Sequence, residues 1–254
     1  MNSNRQGQHF LIDRSVTERI ALYGDLSSQD RVLEIGPGTG NLTGVLAPRV
    51  ARVYAVEVDP ALAESLRGRF SNVVVINADA LTVELPDYNK IVSNLPYQIS
   101  SKITYRLLSR PFEIAVLMFQ REFALRMTAS VGSERYGRLA MIVGFLCHAE
   151  ILETVPKSAF RPVPAVNSAV VRLRPRMDRP EVDALKFMRL VEGLFRLRRK
   201  KVKKGLAALG INQESLAELD LDSGLLEKRP EELMPDEAAV LARALPGRTP
   251  AGGL

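Results

Sequence analysis

The sequence lacks the features on which several protein classes depend. Its 254 residues hold one cysteine, Cys147, set in the apolar run from Ala140 to Cys147, which excludes a disulfide framework and a cysteine-based metal site. No stretch approaches the roughly 18 apolar residues of a membrane span. The N-terminus reaches Gln8-His9-Phe10-Leu11 without the apolar segment that marks a secretory leader. There is no internal repeat and no long low-complexity tract, and nothing points to a metal. These absences predict a cytoplasmic protein in a reducing compartment, without a membrane partner.

What is present suits a folded chain with a polyanionic partner. The composition is 46% hydrophobic and 25% charged, enough to build a sizeable core. Lysine and arginine number 35 against 29 acids, for a net charge of +6 and a pI near 9.6, and a basic balance of this kind favours nucleic acid.

Short β-rich runs alternate with helical stretches: Arg31–Ile35, Arg52–Val58, Val73–Ala78, Lys90–Asn94, Ile114–Phe119, Leu139–His148 and Ser168–Leu173. That rhythm predicts a doubly wound α/β sheet. Val73-Val74-Val75-Ile76 is apolar on consecutive residues, as in a strand covered on both faces, and is expected at the sheet's centre. A proline- and arginine-rich stretch from Arg174 to Pro180 ends the β-rich pattern. Beyond it Leu185, Met188, Val191, Leu194 and Phe195 recur at helical spacing. The expected domains are 1–176, α/β, and 177–254, a small all-helical domain. The segment from Pro246 onward reads as a frayed tail.

Candidate site residues fall at the ends of the predicted strands. Val32-Leu33-Glu34-Ile35 breaks into Gly36-Pro37-Gly38-Thr39-Gly40 ahead of a helix, a turn that lets a ligand approach the backbone. A dinucleotide loop would carry its third glycine where Asn41 stands, so that chemistry is the weaker reading. The second strand ends in Glu57-Val58-Asp59-Pro60, with Glu57 placed for ribose hydroxyls. The third ends in Asn77-Ala78-Asp79-Ala80, with Asp79 placed for an adenine amine. This order resembles the S-adenosylmethionine-dependent methyltransferases with a seven-stranded sheet and implies S-adenosylmethionine as cofactor.

After the fourth strand comes Asn94-Leu95-Pro96-Tyr97, which resembles the signature of enzymes that methylate amines of nucleic-acid bases. Adenine N6 is a poor nucleophile because its lone pair is delocalised into the ring. The Asn94 side-chain oxygen and the Leu95 carbonyl, whose geometry Pro96 restricts, are suited to accept both N6 hydrogens and localise that pair. Tyr97 offers a stacking face to a base flipped out of its helix.

Gly7-Gln8-His9-Phe10-Leu11-Ile12-Asp13 and Phe160-Arg161-Pro162-Val163-Pro164-Ala165-Val166-Asn167-Ser168 look like the ribosomal RNA adenine dimethyltransferase family over nearly the whole chain. Gln8-His9 and the lysine-rich run described next look closer to its archaeal or eukaryotic members. The resemblance implies dimethylation of two adjacent adenosines near the 3′ end of small-subunit ribosomal RNA, within a pre-ribosomal small subunit, by a monomeric enzyme. It also implies that His9 and Leu11 contact the cofactor with Gly36, Gly38, Glu57, Asp79 and Asn94, and that Phe160 stacks opposite Tyr97 across the target adenine. Two alternatives stay open: a large-subunit adenine methylase of the resistance type, and a non-catalytic ribosome-assembly factor that only binds RNA.

Seven cations crowd nine positions: Arg196, Arg198, Arg199, Lys200, Lys201, Lys203 and Lys204. On one helix such charges repel unless a polyanion lies opposite, so this run is the expected RNA-backbone contact.

Overall fold

The computed structural model describes residues 8–211, 214, 216 and 224–243; the expected tail from Pro246 lies outside them. The chain forms two compact units. One is the chain up to Leu125 together with His148–Pro175, and the other is Arg126–Cys147 together with the chain from Arg176 onward. The expected partition at 176/177 differs from this division, because residues 126–147 group with the C-terminal helices.

The first unit contains β1 (Phe10–Leu11), α1 (Arg14–Tyr23), β2 (Arg31–Ile35), α2 (Asn41–Leu46), β3 (Arg52–Glu57), α3 (Pro60–Leu66), β4 (Val73–Asn77), β5 (Lys90–Asn94), α4 (Ser100–Leu108), β6 (Ile114–Gln120) and most of α5 (Arg121–Met127). It resumes with most of β7 (Cys147–Val155), then β8 (Phe160–Arg161) and β9 (Ser168–Pro175). Seven strands form one sheet in the order β4-β3-β2-β5-β6-β9-β7. Neighbours from β4 to β6 are parallel, and β9 runs antiparallel to β6. This is the doubly wound, Rossmann-like α/β sheet that the strand rhythm predicts.

The central strands are those buried on both faces. Val32, Leu33 and Ile35 of β2 are fully buried, as are Ile91 and Val92 of β5 and the β6 run from Ala115 to Phe119. The chain winds one way from β2 through β3 to β4 and the other way from β5 to β6, so the sheet reverses between β2 and β5. Such a reversal opens a crevice at the strands' carboxyl ends. Register pairs stop there at Leu33↔Ile91. Beyond them the buried Ser93 hydroxyl bridges the gap, accepting from the Ile35 N–H at 3.2 Å and donating to the Ile35 carbonyl at 2.6 Å. At the opposite end, Lys90 and Asp30 form a buried ion pair at 3.0 Å.

Two expectations about strands are corrected. β4 is an edge strand and not a central one, and its Val74 is 39% exposed; a continuous apolar run fixes neither cover on both faces nor position in the sheet. The strand expected over Leu139–His148 is a helix, α6 (Arg138–Leu146), and the strand is the next segment, β7. Continuous apolar runs do not distinguish a buried helix from a buried strand, and Ala140, Met141, Ile142, Val143, Phe145 and Leu146 are all buried.

The second unit contains α6, α7 (Ala184–Arg196), α8 (Val202–Ala208) and α9 (Pro235–Arg243). Phe145 of α6 stacks on Phe187 of α7 at 4.0 Å between ring centroids, which explains why α6 groups with this unit. Arg176 donates to both carboxylate oxygens of Asp236 and to the Gly144 carbonyl, tying α6 to α9. The face of α7 that is buried carries Phe187, Met188, Leu190, Val191 and Leu194, whereas Leu185 is exposed. Among the described residues no helix is long and apolar enough to cross a membrane.

Candidate active site

A cavity of about 420 Å³ opens at the carboxyl ends of β2, β3 and β5, within the size range of small-molecule sites. Its floor is the glycine turn after β2. Gly36 and Gly38 have φ of 67° and 57°, values that glycine adopts without steric cost. The space is tight as well: a Cβ on Gly36 would lie 2.9 Å from Pro96, and one on Gly38 would lie 2.9 Å from the Phe10 ring. The turn therefore touches the Asn94–Tyr97 segment on one side and the N-terminal arm on the other.

Glu57 ends β3 and is 3% exposed. Its Oε2 accepts from the Gly38 N–H at 3.1 Å and its Oε1 from the Asp59 N–H at 3.0 Å. A carboxylate has about four acceptor sites, so capacity remains for ligand hydroxyls. Asp79 is exposed at the cavity wall and one of its oxygens caps the Leu81 N–H at 2.8 Å, leaving the other available.

The sequence reading missed Glu34, which also lines the cavity. It is 1% exposed and accepts from the Thr43 hydroxyl at 2.7 Å. Burial pushes its pKa up to about 8; the Thr43 hydrogen bond opposes this and the nearby Glu57 carboxylate adds to it. Glu34 is therefore held as the neutral acid at neutral pH. A carboxylate inside the otherwise apolar Val32–Ile35 is the sequence signal for it.

On the other wall, Asn94 ends β5, half-buried and facing the cavity. The Leu95 N–H is tied to the Met118 carbonyl at 3.3 Å. Pro96, at φ −59° and ψ 124°, then turns the chain into a short 3-10 helix, Tyr97–Ile99. The Tyr97 hydroxyl lies 2.6 Å from the Ser168 hydroxyl at the start of β9. Burial raises the phenol's pKa, an effect opposed by the Ser168 hydrogen bond, so the ring is neutral and oriented.

The N-terminal arm completes the enclosure. β1 pairs antiparallel with β8, Phe10 opposite Arg161 and Leu11 opposite Phe160, and the Asn41 side chain donates to the Leu11 carbonyl at 2.7 Å. Asn41, the residue that breaks the dinucleotide pattern, thus clamps the arm. His9 Nδ1 is 2.8 Å from the Pro162 carbonyl, and its ring centroid is 6.2 Å from that of Tyr97. The predicted residues His9, Leu11, Gly36, Gly38, Glu57, Asp79, Asn94, Leu95, Pro96 and Tyr97 all line this one cavity.

Phe160 does not join them. It is fully buried in the apolar cluster with Leu11, Val16, Ile20 and Met118, and the ring across from Tyr97 is His9. In this arrangement it packs with the arm that carries His9, opposite Leu11, and is not brought to the cavity with the other predicted residues.

The basic run, in the second unit, is not one helix. α7 ends at Arg196, residues 197–200 form turns, Lys201 caps α8, and Lys203 and Lys204 lie inside α8. Four of the seven cations are paired: Arg196 with Glu192, Arg198 with Glu231, and both Lys201 and Lys203 with Glu227.

Comparison with known proteins agrees with this geometry. The sequence profile described as ribosomal RNA adenine dimethylase matches residues 1–243. The chain is 44% identical over 250 residues to the probable ribosomal RNA small subunit methyltransferase A of Methanosarcina mazei, covering 94% of this chain and 91% of that one. It is 46% identical over 206 residues to the protein of the same description from Pyrococcus abyssi, covering 80% and 75%. Among solved structures, a dimethyladenosine transferase from Plasmodium falciparum superposes with a TM-score of 0.78 at 29% identity, over 92% of this chain and 95% of that one. The 23S rRNA methyltransferase ErmE superposes with a TM-score of 0.69 at 32% identity, over 93% and 99%.

Proposed function

The chain belongs to the ribosomal RNA adenine dimethylase family, and we propose that it uses S-adenosylmethionine to dimethylate N6 of two adjacent adenosines near the 3′ end of small-subunit ribosomal RNA. Family membership makes it an rRNA adenine dimethyltransferase; the methyl donor, the roles of individual residues and the small-subunit target are our reading. The observation that carries it is the convergence of the glycine turn, two strand-end carboxylates and Asn94–Tyr97 on one cavity.

The residues present fit S-adenosylmethionine. Gly36 and Gly38 leave no room for a Cβ, so a ligand there meets bare backbone. Glu57 has free acceptor sites for ribose hydroxyls, and exposed Asp79 suits an adenine amine. When bound, the cofactor supplies an electrophilic methyl on a sulfonium. The protein's part is to position the nucleophile. Asn94 Oδ1 and the Leu95 carbonyl accept the two N6 hydrogens, which turns the lone pair out of conjugation and toward the methyl. The Tyr97 ring, held by Ser168, stacks on the flipped base, a contact worth about 1–3 kcal/mol. Each transfer would consume one S-adenosylmethionine, release S-adenosylhomocysteine and send one N6 proton to solvent; in the second the monomethylated amine has a single hydrogen left for these acceptors, and its loss gives N6,N6-dimethyladenosine. The basic run of the second unit binds the RNA backbone.

A second reading, methylation of large-subunit RNA, is favoured by the likeness to ErmE. Incubation with labelled S-adenosylmethionine and separate unmethylated small and large subunits, followed by nucleoside mass analysis, distinguishes them. Dimethyladenosine from the small subunit alone is expected; product from the large subunit alone would overturn the assignment.

A further inference from the structure

The seven-cation run divides into two classes that its sequence does not reveal. Arg196, Arg198, Lys201 and Lys203 are each in an ion pair with Glu192, Glu227 or Glu231. Arg199, Lys200 and Lys204 are exposed and form no ion pair among the described residues. Glu227 closes a 3-10 turn, Leu225–Glu227, that is fixed to the start of α8 by the Val202 N–H donating to the Lys228 carbonyl at 2.8 Å. The acid is thus built into the corner. Hydrogen bonds from Lys201 and then Lys203 pull its carboxyl down to about 2, so it remains ionised wherever RNA is folded.

We propose that RNA phosphates are bound at this corner by Arg199, Lys200 and Lys204, while Glu192, Glu227 and Glu231 hold the other four cations as an internally neutralised frame. The proposal rests on the ribosomal RNA reading above. A cation that already faces a carboxylate gains little from a phosphate, because the displaced carboxylate is left beside the incoming anion. A free cation gives up only solvent and releases a condensed counterion from the RNA. The frame also answers the repulsion problem posed by the sequence: the acids relieve like-charge strain, so the corner between α7 and α8 forms before RNA arrives. The footprint it offers is a short phosphate patch rather than a stripe along one helix.

The test is the salt dependence of binding to a hairpin RNA from the 3′ end of small-subunit ribosomal RNA, with methylation of unmethylated small subunits measured in parallel. Each phosphate contact contributes about 0.7–0.9 to the slope of log K against log salt. The triple change R199Q/K200Q/K204Q is expected to lower the slope by about 2–3, and the quadruple change R196Q/R198Q/K201Q/K203Q by less than about 1. E227Q/E231Q, which frees Arg198, Lys201 and Lys203 without removing a cation, is expected to steepen it. Equal slope losses for the two cation sets, or an unchanged slope in the glutamate variant, would overturn the footprint. Loss of wild-type turnover on small subunits, with the slope pattern intact, would overturn the substrate assignment and leave the footprint standing.

Discussion

Replacing Glu34 by Gln should change how stability depends on pH. In the unfolded chain this carboxyl ionises near its ordinary 4.5, whereas in the fold burial keeps it protonated up to about 8. Between those values the folded state therefore binds one more proton than the unfolded state, and linkage requires stability to fall as pH rises through the window and to level off above it. Each pH unit is worth about 1.4 kcal/mol, so the loss across the window amounts to several kcal/mol, a large part of a domain's stability. Glutamine keeps the shape and an oxygen for the Thr43 hydroxyl but has no proton to lose. Urea midpoints at pH 5 to 9 should show the wild type declining more steeply than the variant, the two similar near pH 5 and the variant more stable near pH 8. Parallel profiles would refute the assignment of a buried neutral acid beneath the glycine turn. Because Glu57 contributes to the shift, Glu57→Gln should flatten the wild-type decline in part.

The other predictions concern Asn94, Tyr97 and Phe160. On the proposed mechanism Asn94→Ala removes an N6 acceptor and no phosphate contact, so kcat should fall by at least about 100-fold with RNA affinity nearly unchanged, as read by single-turnover methylation and filter binding. Tyr97→Phe keeps the ring and loses only the bond to Ser168, so activity should remain within about one order of magnitude, whereas Tyr97→Ala loses a stack worth about 1–3 kcal/mol and should fall further in kcat/KM. Phe160→Ala should cost about 3–5 kcal/mol of stability by leaving a cavity, lowering Tm, and should loosen the arm, read as faster hydrogen exchange at Phe10 and Leu11. A Phe160→Leu variant that regains stability and activity together would confirm an anchoring role over a stacking one.

The parts of this molecule that were legible in its sequence are those where chemistry and backbone restrict the same residue. Gly36 and Gly38 need both positive φ and an absent Cβ. Glu57 and Asn94 sit where a strand ends, and a strand's end in a doubly wound sheet is where ligands go. Where only apolarity spoke, the reading was incomplete: it found the strands β4 and β6 but not β4's place in the sheet or the helix at 138–146. Val73–Ile76 and Ala140–Leu146 are equally apolar, yet one is an edge strand and the other a helix, because packing partners distant in sequence, such as Phe187 for Phe145, decide such cases. Glu34 is hard to read from sequence for the converse reason: a single acid in a buried strand looks like an exception to the pattern until Thr43 is seen to satisfy it.

Charge was legible as a total and illegible as a pattern of partners. Seven cations in nine positions suggest one polyanion-binding helix, and the repulsion argument behind that inference is sound. Its premise, that no counter-charge lies nearby in the fold, does not hold. Glu227 and Glu231 are more than twenty positions downstream of their partners, beyond any helical periodicity. The same reasoning applies to Phe160, for which the resemblance implies a stack on the target base while in the fold its ring packs in the apolar cluster with Leu11, Val16 and Ile20. In both cases the residue type marks a region that matters, and only the three-dimensional neighbour says whether the side chain faces ligand or protein. On the proposed footprint, a cation held by a built-in carboxylate and an aromatic closed into the core act in the same indirect way, by fixing the residues beside them: Arg199 and Lys200 in one case, the arm of His9 in the other.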